Sequence, residues 1–145
     1  LTLIVGSALG LANIMVDNGV AQMLGDGLLS VFGNWGIYGA FIAVYLFTLL
    51  LTELITNNAA AALAFPIAYS IAIGYGIDPR PFVMAVVFGA SASFISPYGY
   101  QTNLMVYSAG NYQFSDYLRI GIPLSIIYSV IVLFMIPMVF PFIAI

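Results

Sequence analysis

The chain has 145 residues, 63% of them hydrophobic and 5% charged, with a mean hydropathy of +1.14; this excludes an ordinary soluble domain and marks an integral membrane protein. The net charge of -3 rests on the scattered side chains Asp17, Asp26, Glu53, Asp78, Arg80, Asp116 and Arg119, which leaves no basic surface for nucleic acid or acidic lipid. With no Cys and no His, disulfides, thiolate or imidazole metal sites and Ser-His or Cys-His nucleophiles drop out together, so an enzyme is the weakest functional class.

A spanning helix needs about 20 apolar residues, so the chain has room for about four or five passes. The missing Met at position 1 and an apolar start without a basic segment read as a piece of a longer protein, not as a signal peptide. Residues 1–33 are expected to form arm helices. Leu1 to Val16 is apolar and stops at the turn signal Asp17-Asn18-Gly19; Gly6 and Gly10, four apart, allow a second helix to approach closely. Val20 to Phe32 alternates apolar and polar residues at helical intervals, as an interfacial amphipathic arm does. Gly33-Asn34-Trp35-Gly36 then punctuates, with Trp35 and Tyr38 of the type that anchors a helix end at headgroup level.

Residues 34–77 read as a helical hairpin whose tip lies at 52–62. Ile37 to Leu51 and Ala59 to Ala72 are charge-free, and each arm is near a full span, so length alone leaves open a surface loop or a re-entrant tip buried midway. Composition favours the buried tip. Asn57 and Asn58 followed at once by four Ala form a dense neutral cluster against apolar helix, and polar groups at membrane depth are expensive unless they face protein, a cavity or a ligand. Asn is a good N-cap and Ala an excellent helix former, which starts the second arm at Asn57 or Asn58. Its free N–H groups would favour an anion, while the free carbonyls around Thr52 to Ile55 would favour a cation. The competing reading is that Asn57 and Asn58 only join helices by hydrogen bonds. Glu53 reads as an ion ligand, a proton carrier or a carboxylate that holds the hairpin together.

Pro66 is expected to kink the second arm. Residues 78–119 read as a broken helix and the loop after it. Asp78-Pro79-Arg80-Pro81 starts a helix, and Gly89 to Ser93 supplies small residues for tight packing. The apolar run breaks at Ser96-Pro97-Tyr98-Gly99-Tyr100-Gln101-Thr102-Asn103, where Pro97 and Gly99 free backbone groups. A discontinuous helix facing a polar hairpin tip is a recurring transporter architecture; a plain extramembrane loop is the alternative. Asn111 to Arg119 reads as a loop, and 120–145 as a final transmembrane helix with Pro123, Pro137 and Pro141. Arg80 and Arg119 fall on opposite sides of the break, so charge gives no membrane orientation.

Glu53-Leu54-Ile55-Thr56-Asn57-Asn58-Ala59-Ala60-Ala61-Ala62, Phe65-Pro66-Ile67 and Ser96 to Asn103 resemble the C-terminal half of the divalent anion:sodium symporter family, within the ion transporter superfamily that includes citrate and arsenite carriers. The resemblance covers nearly the whole chain. It implies an all-α, polytopic transmembrane fold: one inverted repeat with a re-entrant helical hairpin and a discontinuous helix, whose mate is a missing N-terminal repeat. The family carries Ser-Asn-Thr at each hairpin tip, here Thr56, Asn57 and Asn58. By similarity, Na+ would be held by carbonyls near Thr52, Ile55 and Gly99 and by the Asn57 side chain, and the anion would meet Thr56, Asn57, Asn58 and Tyr100. Asn58 stands where the family has Thr, and Tyr100-Gln101-Thr102 where it has Thr-Pro-Pro, so dicarboxylate specificity does not carry over; the pattern looks closer to the sulfate branch.

The expected function is a secondary transporter coupling Na+ to a small anion, sulfate or a di- or tricarboxylate, in a prokaryotic cytoplasmic membrane, without an organic cofactor and, by resemblance, as a homodimer. Two rivals stand beside it: a proton-coupled antiporter or oxyanion extruder with Glu53 carrying H+, and a non-transporting membrane scaffold.

Overall fold

The computed structural model describes residues 2–145, all α-helical apart from turns and one isolated β-bridge. The helices are α1 (Thr2–Asp17), α2 (Val20–Phe32), α3 (Gly36–Leu54), α4 (Asn57–Gly74), α5 (Arg80–Ala90), α6 (Gln101–Ala109) and α7 (Phe114–Val139), with a 3-10 turn at Gly33–Trp35 before α3. The arms α1 and α2 meet at Asn18, whose side-chain amide donates to the Ile14 carbonyl at 2.8 Å, and at Gly19, whose φ of +71° is a left-handed stop that costs glycine little.

Among the described residues three helices are long and apolar enough to cross a membrane: α3, α4 and α7. The helices α5 and α6 on either side of residues 91–100 are not. At 1.5 Å per residue α5 is about 16 Å long and α6 about 13 Å, so each covers only part of a bilayer. They flank the unwound residues 91–100, within the stretch 78–119 that the sequence reads as a broken helix and its loop.

The core lies where α5 wedges against the α3–α4 hairpin. Phe41, Val44, Tyr45 and Thr48 of α3 are buried, as are Phe82, Ala85 and Val86 of α5 and Ala60, Ala64, Ile67, Ala68 and Ile71 of α4. The alanine face of α4 brings backbones close, which matters in lipid because there tight packing replaces hydrophobic transfer as the driving force. Tyr45 Oη and Ser129 Oγ, 3.0 Å apart, link α3 to α7, and the Tyr128 hydroxyl donates to the Phe88 carbonyl at 3.3 Å. The opposite face of α7, with Ile127, Val130, Phe134 and Met138 exposed, suits hydrocarbon. Pro66 is buried inside an uninterrupted α4.

Several boundaries differ from expectation, each for a local reason. The helix breaks at Ser91, five residues before Ser96, because the N–H groups of the following residues are taken by a side chain from α3 instead of by helical carbonyls. The helix assigned to 120–145 begins at Phe114, inside the expected loop, because Gln113 and Asp116 form a reciprocal capping box in which the Asp116 carboxylate accepts from the Gln113 N–H at 2.9 Å. It ends at Val139, since Phe140 precedes a proline and is pushed out of helical geometry. The last residues instead run extended, Asp78 N–H donating to Ile143 O at 2.8 Å and Ile145 N–H to Gly76 O at 3.0 Å, while the Phe142 ring packs edge-on to Phe41, 5.5 Å between centroids. Among the described residues the glycine spacing in α1 has no close neighbour: a Cβ at Gly6 or Gly10 would meet nothing within 4 Å.

Gly121 is different. A Cβ there would collide with the Phe94 carbonyl and lie 2.8 Å from Ile95 Cα, so α7 buttresses the unwound segment by close backbone approach. Gly121→Ala should therefore lower the thermal stability of the full-length protein, by about 1–3 kcal/mol if the break cannot shift, whereas Gly6→Ala should leave it unchanged; denaturation of the purified variants in detergent distinguishes the two.

Candidate functional site

The hairpin turns through two residues. Ile55 is extended and gives its N–H to the Leu51 carbonyl; Thr56 is also extended and caps α4, its hydroxyl accepting from the Ala59 N–H at 3.4 Å. The second arm starts at Asn57, with Thr56 and not an Asn as the cap. Opposite the tip, residues 91–100 are unwound between α5 and α6. Two helices therefore end here, α3 and α5, and two begin, α4 and α6.

Glu53, on the last turn of α3, closes the gap. Its Oε1 accepts the N–H groups of Phe94 and Ile95, both at 3.0 Å, and its Oε2 accepts that of Ser96 at 2.7 Å. Its contacts are structural, but they hold the unwound segment to α3 and not the two arms of the hairpin to each other: it supplies acceptors to N–H groups that unwinding deprives of helical partners. Ser96 continues the pattern, its hydroxyl accepting from Tyr98 N–H at 3.1 Å and Gly99 N–H at 3.3 Å. Asn103, on the first turn of α6, reaches back to the Ser93 carbonyl at 3.0 Å.

Asn57 sits at the centre. Its carboxamide faces a set of acceptors: the carbonyls of Gly99 and Ala90 and the Thr52 hydroxyl oxygen. With the nitrogen turned inward it donates to Gly99 O at 3.0 Å, Ala90 O at 3.2 Å and Thr52 Oγ1 at 2.7 Å, an assignment that follows from the hydrogen-bond network. With the oxygen turned inward it accepts from the Thr52 hydroxyl at 2.7 Å but then confronts the two carbonyls with nothing between. Thr52 is fully buried, and when it accepts from the inward-turned Asn57 nitrogen its one hydroxyl proton is donated to Ala90 O at 2.7 Å. A Cβ at Gly99 would collide with the Thr52 carbonyl and with Ser93 Oγ, so only glycine lets the unwound strand lie this close to α3.

Beside this cluster an open cleft of about 900 Å³ lies between the tip, the start of α6 and α1. Thr56, Asn57, Asn58 and Tyr100 all line it, and so do Gln101, Thr102 and Ser7. No charged side chain does so among the described residues. Both α4 and α6 begin at the cleft, the latter without a side-chain cap, so free N–H groups and the positive ends of two helix dipoles are available there.

Of the residues expected to hold a cation, Thr52, Asn57 and Gly99 come together; Ile55 lies in the turn, and none of the close contacts of the Asn57 carboxamide involves it. Ala90 joins the cluster unanticipated, and Ser93 abuts it at Gly99. Ala90 contributes only a backbone carbonyl, for which a sequence holds no side-chain signal, and Ser93 lies in a run of small residues that reads as packing. Ser7 of α1 lines the cleft unanticipated as well.

The family model described as citrate transporter matches residues 1–145. An uncharacterized transporter of Synechocystis sp. is 43% identical over 117 residues, 81% of this chain and 19% of that protein. Sodium/sulfate cotransporter 1 of Chlamydomonas reinhardtii is 40% identical over 125 residues, 86% of this chain and 14% of that protein. An uncharacterized transporter of Escherichia coli (strain K12) is 36% identical over 140 residues, 97% of this chain and 23% of that protein. The chain thus spans less than a quarter of the length of each of these relatives.

Removing the Glu53 carboxylate tests the clamp. Glu53→Ala should destabilise the full-length protein by at least about 1–3 kcal/mol, the cost of one stranded buried donor, and Glu53→Gln, which keeps one acceptor oxygen, by less. Equal melting of both variants and the parent protein would contradict this role.

Proposed function

Because this chain belongs to the citrate transporter family, whose members and named relatives are transporters and not enzymes, we propose that it forms part of the transport site of a secondary carrier that couples Na+ to the movement of a small divalent anion, with sulfate as the leading substrate. Family membership and three membrane-length apolar helices make it an integral membrane protein. The α3–α4 hairpin is proposed to be re-entrant, its tip and the unwound residues 91–100 meeting within the bilayer.

The observation that carries this reading is the acceptor-only surrounding of Asn57. Carbonyls of Gly99 and Ala90, the Thr52 hydroxyl and an inward-turned Asn57 oxygen are hard oxygen donors, suited to an alkali cation and requiring no carboxylate. The carbonyl ends of α3 and α5 lie at the same place, and their dipoles favour positive charge. The cleft has the opposite character: N–H groups at the starts of α4 and α6 with Thr56, Asn58, Tyr100 and Gln101 around them, a neutral donor set suited to a tetrahedral oxyanion.

Asn57 borders both. Without a cation its amino group holds the carbonyls together. When a cation enters, the carboxamide turns its oxygen inward, and the amino group leaves the cage and becomes available on the side of the cleft that Asn57 lines. Cation binding thereby adds a positive charge and frees a donor for the anion, so each ligand raises affinity for the other, as linkage requires. Proton coupling through Glu53 draws less support, since both carboxylate oxygens are engaged by backbone N–H groups and Glu53 does not border the cleft.

The test is uptake of radiolabelled sulfate by proteoliposomes of the full-length carrier. Asn57→Ala should reduce sodium-driven uptake tenfold or more, roughly the loss of one strong polar contact. Uptake with unchanged rate and unchanged sodium dependence would contradict the reading, and so would transport that follows a pH gradient and ignores sodium. Asn57→Asp, which keeps the oxygens but not the amino group, should retain sodium-dependent thermal stabilisation while anion uptake falls.

A further inference from the structure

Ser93 is 4% exposed, and its hydroxyl has no hydrogen-bond partner among the described residues. A buried hydroxyl without a partner carries an uncompensated desolvation cost, so its position calls for a ligand or water. The surrounding unwound segment is otherwise well satisfied: Glu53 takes three N–H groups, Ser96 two, and Asn103 the Ser93 carbonyl itself. The orphan is therefore not a symptom of a loosely built loop.

Its direction is fixed by Gly99. A Cβ on that residue would strike both Ser93 Oγ and the Thr52 carbonyl, so the two oxygens converge over one face of the Gly99 Cα. The Gly99 carbonyl, from the same residue, is an acceptor in the Asn57 cluster. Ser93 thus presents an unused oxygen beside Gly99, on the face that also carries the Thr52 carbonyl from the last turn of α3.

We infer that Ser93 Oγ is a further ligand of the coupling cation, closing its coordination shell on the side of Gly99 that carries the Thr52 carbonyl. This rests on the sodium-site reading above. A hydroxyl serves here because it can direct a lone pair at the ion and its proton towards a neighbouring carbonyl. Binding of the ion then ties the unwound strand to the hairpin through its own side chain as well as through Gly99.

The experiment is sodium titration of sulfate uptake by the full-length carrier with Ser93→Ala, a change of one oxygen that leaves the small-residue packing intact. The expected result is a three- to tenfold higher sodium concentration at half-maximal rate, roughly one neutral polar contact. Ser93→Thr, which restores a hydroxyl, should recover most of the sodium affinity. A Ser93→Ala titration that overlays the parent curve overturns the inference, while the sodium requirement of the parent protein leaves the proposed function standing; a parent protein that ignores sodium removes both. If Ser93→Ala is inactive at every sodium concentration, the sodium dependence of its melting temperature decides: a curve displaced to higher sodium supports the role, and a curve unchanged from the parent overturns it.

Discussion

A helix that stops inside a bilayer strands backbone N–H and C=O groups where no water reaches them, and each must find a partner in protein or ligand. Two helix interruptions exist here, the turn at Ile55 and Thr56 and the unwound residues 91–100, which the proposed transport site would set within the bilayer, and neither is satisfied by itself. Glu53 from the first takes three N–H groups of the second; Thr52 and Asn57 from the first take two of its carbonyls. The hairpin and the broken helix are mutually required. Small residues serve the same end, since Gly99 and Gly121 let α3 and α7 approach the unwound backbone where a side chain would collide.

This mutual satisfaction sorts the leftover groups by sign. The Ala90 carbonyl at the end of α5, the Gly99 carbonyl and the Thr52 hydroxyl of α3 collect around Asn57, and N–H groups at the starts of α4 and α6 face the cleft. A cation and an anion can then sit within one small region without any charged side chain aimed at either. The single carboxylate nearby, Glu53, is committed to the backbone and stabilises the frame in which both polar regions form. Asn57 lies on the border because a carboxamide is both donor and acceptor and can exchange the two by a rotation.

Much of this was legible in the sequence. Two consecutive Asn before an Ala run gave the start of α4 because polar residues at membrane depth need a reason, and Pro97 with Gly99 gave a second interruption near it. What composition could not give was where the second break begins. Ser91 to Ile95 is small and apolar enough to continue a helix, and it unwinds because Glu53, distant in sequence, captures its N–H groups. Ala90 acts through a carbonyl that any residue carries. The start of α7 was readable in principle, from Gln113 and Asp116 at capping-box spacing, but their polarity resembles that of a loop. Gly6 and Gly10 carried the opposite lesson: a spacing suited to close packing with no neighbour packed against it among the described residues.

The central claim is that the Asn57 carboxamide trades its contacts with Gly99 and Ala90 for a sodium ion. A high-resolution structure of the full-length carrier in saturating sodium, set beside one in choline, tests it most directly. The account predicts density for an ion bounded by Asn57 Oδ1, Thr52 and the Gly99 carbonyl in sodium, and the direct Asn57 amide contact with the Gly99 carbonyl in choline. The same Asn57 Nδ2 to Gly99 contact in both, with no ion between them, would contradict it.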